Sequence, residues 1–208
     1  MMLPFKELIL KHNLNITGVL HCGANVCQEA ELYSETINGE VVWVEALPDI
    51  YEQAGKVLID YPNQTIIEAC LGSEDGKEVT FHISSNGSQS SSYLDFGEHL
   101  KIHPDVSFVG DITLTTKRLD TLFSYGLGSI NFLMLDLQGA ELEALKGMGK
   151  LIHKIDYILT ECNAKETYIG CPLIEELDIY LYEFTRVETG DFVGGCWSDC
   201  LYVRTSLL

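Results

Sequence analysis

Several apolar runs in this chain stop at polar residues that could do chemistry. FLML is followed by Asp136, and YILT by Glu161 and then, two residues on, Asn163. Acids that end neighbouring strands of one sheet lie near each other, and two chemistries suit such a pair. They could be a general base and its orienting partner. With Asn163 they could instead be oxygen ligands for magnesium or another hard divalent cation. The plainer alternative has Asp136 capping the helix that follows and Glu161 meeting loop amides. A third acid, Glu45, ends the run VWV. It lies about twenty residues beyond the turn Gly23, Ala24, Asn25, a spacing that lets a carboxylate accept both hydroxyls of a ribose. Glycine in such a turn allows close backbone approach to a ligand, and the next helix offers free N–H groups. The GxGxxG pattern of a dinucleotide site is absent, so a cofactor without pyrophosphate fits better. The alternative is an ordinary strand-end turn with a solvent-facing acid.

Elements that could position these residues alternate along the chain. ITGVLHC, EVVWVEA, QTIIEACLG, SINFLMLDLQ and IDYILTECN read as strands. VCQEAELYSETI, LPDIYEQAGKVLIDY, GAELEALKGMGKLIHK and PLIEELDIYLYEF read as helices. This alternation predicts an α/β fold with a mostly parallel sheet and helices on both faces. Ligands of such sheets bind beyond the carboxyl ends of the strands. EVTFHIS and DITLTT are two further strands, and TRVETG and SDCLYVR are close enough to form an antiparallel hairpin at one edge. The segment SSNGSQSSSYLDFGEHLKIHPD is a long polar loop, of the kind that serves as a lid or a disordered tip. One domain over residues 1–208 is the natural reading, alone or as a piece of a longer multifunctional chain.

Charge narrows the partners. Thirteen basic against 31 acidic residues give a net charge of −18. Phosphate binding needs clustered Lys and Arg, so nucleic acid is disfavoured, and so is an anionic membrane surface. The seven cysteines are scattered without a framework, which predicts reduced, buried thiols in the cytoplasm. Cys22 with Cys27 and Cys196 with Cys200 resemble zinc half-sites but have no companion ligands. No run of about eighteen apolar residues exists to span a membrane. Lys6 and Glu7 interrupt the N-terminal apolar stretch, which is unlike a signal peptide.

HCGANVCQEAELY, VWVEALPD, EACLGSEDGKEVTF, NGSQSSSYL, LTTKRLDTL and FLMLDLQGAELEALKGM occur in that order. Together they resemble the FkbM-type S-adenosylmethionine-dependent O-methyltransferase family, over about residues 17–165. LDLQGAELEALKG is the most specific piece. The resemblance implies a single-domain, Rossmann-like class I methyltransferase fold: a seven-stranded, mostly parallel sheet whose last strand runs antiparallel. It implies S-adenosylmethionine lying over the strand ends. Gly23, Ala24 and Asn25 would lie against the methionine portion, Glu45 would hold the ribose, and Cys70 and Leu71 would flank the adenine. His21, Ala46, Asp136 and Leu137 complete the expected cofactor contacts. Acceptors typical of the family are hydroxyls of sugars, glycans, polyketides and related metabolites. The chain departs from the family at His21, usually Asp, at Cys27, usually Gly, at Gln138, usually Glu, and at Met134, often Lys.

The expected reaction is methyl transfer to a sugar or glycan hydroxyl, with Asp136 as base and Glu161 beside it. A cation held by Asp136, Glu161 and Asn163 is the alternative. Asn86, Ser88, Ser91 and Ser92 of the polar loop, with Gln138, are the expected substrate contacts; the competing view of that loop is a flexible surface tip. His99 and His103 read more readily as exposed or structurally satisfied than as catalytic. Tyr168 and Trp197 could supply an aromatic platform, although a core role suits Trp197 better. A lipid, polyketide or other metabolite acceptor remains an alternative. So does a catalytically degenerate module that binds S-adenosylmethionine, which His21, Cys27 and Gln138 keep open.

Overall fold

The most apolar stretches of the chain become its central strands, because both their faces are covered. The computed structural model describes residues 3–208. In its first third, α1 (Phe5–His12), β1 (Gly18–Cys22), α2 (Ala30–Thr36), β2 (Glu40–Glu45), α3 (Pro48–Val57) and β3 (Gln64–Glu68) alternate. The middle holds β4 (Cys70–Leu71), β5 (Glu78–Ser84), α4 (His99–Ile102), β6 (Phe108–Lys117) and α5 (Leu119–Leu122). Then come β7 (Phe132–Leu135), α6 (Glu141–Gly147), β8 (Tyr157–Asn163), α7 (Ile174–Tyr180), β9 (Phe184–Thr189) and β10 (Trp197–Arg204). Every residue of β1, β7 and β8 is buried.

The main sheet has seven strands in the order β3-β2-β1-β7-β8-β10-β9. The first five are parallel, and β10 runs antiparallel to both of its neighbours. Alternate residues of each strand feed two cores, as the two-residue strand period requires. Leu20, Val42, Leu133 and Ile158 pack on one face with Ala144 and Leu145 of α6 and Leu177 of α7. Val19, Trp43, Phe132 and Leu159 pack on the other with Leu8 of α1, Tyr33 of α2 and Ala54 of α3.

Three features differ from the sequence expectations. QTIIEACLG is not one strand. It breaks at Ala69, whose N–H still donates to Glu45 O at 2.8 Å, and then β4 leaves the main sheet to pair with β6. β4, β5 and β6 form a separate three-stranded sheet, and the Ser-rich loop lies between β5 and β6. Second, the helix expected from Val26 starts only at Ala30. Asn25 and Cys27 are left-handed, with φ of 42° and 56°, which a right-handed helix cannot accommodate. Third, the cysteines are not all thiols. Cys162 and Cys200 are bonded, with Cα atoms 6.2 Å apart, and five cysteines remain free and buried. The antiparallel register explains the pairing: Ser198 lies opposite Cys162, so Cys200, two residues on, is its diagonal neighbour on the same face. Among the described residues no helix is long and apolar enough to cross a membrane.

Register sets up the site. Cys22 pairs with both Val44 and Leu135, Leu135 with Thr160, and Glu161 with Asp199. The rung just beyond therefore reads Glu45, Gly23, Asp136, Glu161, Asp199 across β2, β1, β7, β8 and β10. Four of the five adjacent strands present a carboxyl group at one level.

Candidate active site

A cavity of about 430 Å³ opens over this rung, and all five of its residues line the cavity. Gly23 shows why the strands can approach so closely there. Its φ is +91°, and a Cβ at this position would meet the Asp136 carbonyl oxygen at 1.7 Å. Any side chain would have to force the ends of β1 and β7 apart.

Glu45 anchors one end. Its Oε2 accepts the Asn25 N–H and its Oε1 accepts those of Ala46 and Leu47, each at 2.9 Å. Burial pushes its carboxyl up, and these three donors pull it back toward the charged form. A carboxylate has about four lone-pair sites, so one remains for a ligand after three amides are met.

The middle is arranged differently. Asp136 Oδ1 accepts the Gln138 side-chain N–H at 2.5 Å, and Glu161 Oε2 faces the same nitrogen at 3.4 Å. Burial raises both carboxyls, Glu161 the more strongly, because Asp136, Glu141 and Asp199 add their charges to the burial. Two carboxylates sharing one site cannot both ionise cheaply. The closer donor favours charge on Asp136 and the proton on Glu161. Gln138 is held for this task in a left-handed conformation, φ 52°, with its Oε1 accepting the Tyr168 hydroxyl at 2.6 Å.

His21 lines the cavity but is packed within an aromatic group. It stacks on Trp43 at 4.5 Å, its Nδ1 lies 3.1 Å from the Tyr33 hydroxyl, and burial pushes its imidazole down to about 3. It is a neutral wall residue.

The cavity brings together most of the residues singled out in the sequence. His21, Gly23, Asn25, Glu45, Ala46, Leu71, Asp136, Leu137, Gln138 and Glu161 line it, as do Asn86, Ser88 and Ser91. Four lie off its wall. Ala24 is packed in the core beneath the turn. Cys70 packs against Leu47, Ile50 and Phe81. Ser92 donates its hydroxyl to Gln138 O at 2.8 Å. Asn163 lies two residues beyond Glu161, covered by its bridge to Leu173 and its pairing with Trp197, and its side-chain nitrogen and oxygen have no partner.

The Ser-rich loop uses its hydroxyls on itself. Ser84 Oγ donates to Asn86 Oδ1 at 2.6 Å, Asn86 Nδ2 donates to Ser90 Oγ at 3.0 Å, and the Ser84 N–H donates to Ser91 Oγ at 2.9 Å. The loop is thus a folded wall. His99 is buried beneath it, 3.1 Å from Ser90 Oγ. Tyr168, Trp197 and His103 also face the cavity.

Three acids at or beside the cavity were not singled out in the sequence. Glu29 and Asp199 line the cavity. Glu141 is fully buried beneath it, with Oε1 accepting the N–H groups of Leu137 and Gly139. The signal for Glu141 was present: an acid in the first turn of a helix, close behind the strand-end Asp136. Asp199 had none, because its place depends on the insertion of β10 between β8 and β9.

Residues 21–188 match the family model described as Methyltransferase FkbM domain. A curated relative, 2-O-methyltransferase NoeI of Sinorhizobium fredii (strain NBRC 101917 / NGR234), is 32% identical over 151 residues, covering 68% of this chain. The chain spans 60% of the length of that relative. Magnesium protoporphyrin IX methyltransferase (ChlM) from Synechocystis PCC 6803, solved with bound SAM, superposes with a TM-score of 0.54 at 13% identity, over 96% of this chain and 76% of that one. Aeropyrum pernix fibrillarin with natively bound S-adenosyl-L-methionine gives 0.54 at 13% identity, over 96% and 74%. At such identities the likeness is one of fold, and the fold is that of the class I methyltransferases. The matched segment includes the Gly23 turn, Glu45, Asp136 and Glu161, and it covers most of the chain; the protein belongs to the FkbM methyltransferase family.

Proposed function

We propose that this chain transfers the methyl group of S-adenosylmethionine to a hydroxyl of a sugar or glycan, with Asp136 as the base. The row of carboxyl groups over the strand ends carries this reading, and the naming of the relative as a 2-O-methyltransferase supports oxygen as the acceptor atom.

The donor set fits the cofactor. Glu45 keeps a lone pair for ribose hydroxyls, and Val44, Ala69, Leu71 and Phe81 offer an apolar wall to a flat base. Glu29 and Asp136 suit positive charge. When bound, S-adenosylmethionine supplies an electrophilic methyl group on a cationic sulfur. A sugar hydroxyl is a poor nucleophile, and a positioned base raises its reactivity. Asp136, the carboxylate better supplied with a donor, takes the hydroxyl proton. Glu161, protonated, spares Asp136 a second adjacent charge. The folded Ser-rich wall limits water at the reacting atoms.

The divalent cation fits poorly. Asn163 is off the wall, the Gln138 amide stands between the two carboxyls, and among the described residues no three His, Cys, Asp or Glu are grouped to hold a metal ion.

Incubating the chain with S-adenosylmethionine and a panel of methyl glycosides should yield S-adenosylhomocysteine and O-methyl sugar. Calorimetry showing no affinity for either form of the cofactor would overturn the proposal. Cofactor binding without methyl transfer to any acceptor would leave the degenerate module.

A further inference from the structure

The far end of the carboxyl row has features that cofactor binding does not use. Asp199 stands beside Glu161 as its direct cross-strand partner, where Cβ atoms are roughly 5 Å apart. Trp197 is two residues earlier on β10, so it shares that face, and it is only half-buried. His99 and His103 of the Ser-rich segment, together with Tyr168, face the same space.

One observation marks this end as a place for a ligand, and a second limits the charge that ligand can carry. His99 is 3% exposed, lines the cavity, and its Nδ1 has no hydrogen-bond partner. A buried imidazole nitrogen left unmatched is costly unless something meets it. Burial also pushes His99 down to about 4, so at neutral pH it carries no charge. The second observation is electrostatic. Glu29, Glu45, Asp136, Glu161 and Asp199 line the cavity, and among the described residues no Lys or Arg does. An acceptor bearing phosphate, sulfate or carboxylate would meet several acids and no countercharge from a protein side chain.

We propose that Asp199, Trp197 and His99 form the acceptor subsite, and that this subsite takes an uncharged pyranose or similar polyol and rejects anionic ones. Trp197 offers an indole face to the C–H side of a sugar ring. Asp199, whose Oδ2 already accepts the Leu3 N–H at 2.6 Å, keeps Oδ1 for a sugar hydroxyl, protonated Glu161 can donate to a neighbouring one, and the neutral His99 supplies a further polar partner. The proposal rests on the methyl-transfer reading above and adds the charge class of the acceptor and the residues that select it.

The test compares kcat/KM on the full chain for neutral methyl glycosides, the matching sugar phosphates and uronic acids, and amino sugars, read as S-adenosylhomocysteine formed. Neutral glycosides should exceed their anionic counterparts by roughly 100-fold or more, as expected when like charges are brought together in a desolvated site. Asp199→Asn should raise KM for the neutral glycoside about 10-fold and narrow the neutral-to-anionic ratio by a similar factor. Its S-adenosylhomocysteine affinity should stay unchanged, which also reports that the variant is folded. Trp197→Ala should raise KM, and Trp197→Phe should restore most of the loss. Equal or better turnover of anionic sugars overturns the subsite and leaves the methyl-transfer reading standing. So does an Asp199→Asn enzyme with unaltered KM and ratio. Methylation of amines alone, or of no acceptor, overturns both.

Discussion

Glu45 and Glu161 are both buried glutamates at the carboxyl ends of parallel strands, yet burial leaves them in different states. Three backbone N–H groups from the adjoining turns meet Glu45. Those donors come with the fold and cannot titrate, so they steadily offset part of what burial costs the charged form. Glu161 has one side-chain donor at 3.4 Å and the acids Asp136, Glu141 and Asp199 around it. Its charge depends on that of its neighbours. The first arrangement suits steady binding of a polar ligand. The second suits holding and moving a proton, because a small change in the site alters which group carries it.

The strongest test of the contrast removes the charge at the reactive end. Asp136→Asn should lower kcat by about 10²–10⁴-fold, the usual worth of a positioned base. A loss under tenfold would remove Asp136 from that role. At the other end Glu45→Gln should act on binding. The new amide nitrogen would face a backbone N–H that now donates to carboxylate, and the S-adenosylhomocysteine Kd should rise about 10–100-fold by calorimetry. If kcat falls instead while Kd holds, the division of labour between the two ends is wrong.

Gln138→Glu blurs the distinction further. It replaces the one amide shared by Asp136 and Glu161 with another acid, so the acid limb of the rate profile should move to higher pH, by about one unit. An unmoved limb would mean that the amide does not govern the pair.

Stability offers a gentler probe. Burial pushes the Glu141 carboxyl up from the ordinary Glu range to about 7. The folded chain therefore holds this proton more tightly than the unfolded chain does. The stability it contributes is complete below the ordinary Glu range and is lost as pH rises through about 7. Glu161 and Asp199 shift in the same sense. Thermal melts should show Tm falling between about pH 5 and about pH 8, less steeply in Glu141→Gln, which keeps the Oε1 acceptor for Leu137 and Gly139. A variant with the same slope would clear Glu141 of the effect. The smallest change is expected at the Glu45 end. Cys27 is left-handed at φ 56° and buried in the core, so Cys27→Gly should set about 1 kcal/mol of relieved backbone strain against a similar loss of packing and leave Tm nearly unchanged; a shift of many degrees either way would show that one effect dominates.

Much of the site could be read along the chain because strand ends are local features. Asp136, Glu161 and Glu45 each follow an apolar run, and the sheet's polarity carries all three to one edge. The Ser-rich loop was legible as a loop, but not in its use of hydroxyls. Ser84, Asn86, Ser90 and Ser91 satisfy one another, which depends on a turn geometry that composition does not encode. The same limit applies to Cys162 and Cys200, which are 38 residues apart in sequence and meet only through strand register.

By itself the sequence determined the alternation of strands and helices, the identity of the buried strands and the acids that end them. Apolar runs and their boundaries are properties of neighbouring residues, so one dimension suffices for these. Only the tertiary structure decided that β10 slides between β8 and β9 and brings Asp199 against Glu161, that Gln138 bridges two carboxyls, and that Glu141 is fully buried beneath them. Charge and proton affinity depend on distance and burial in three dimensions. The acids were written in the chain, and packing set which of them holds a proton.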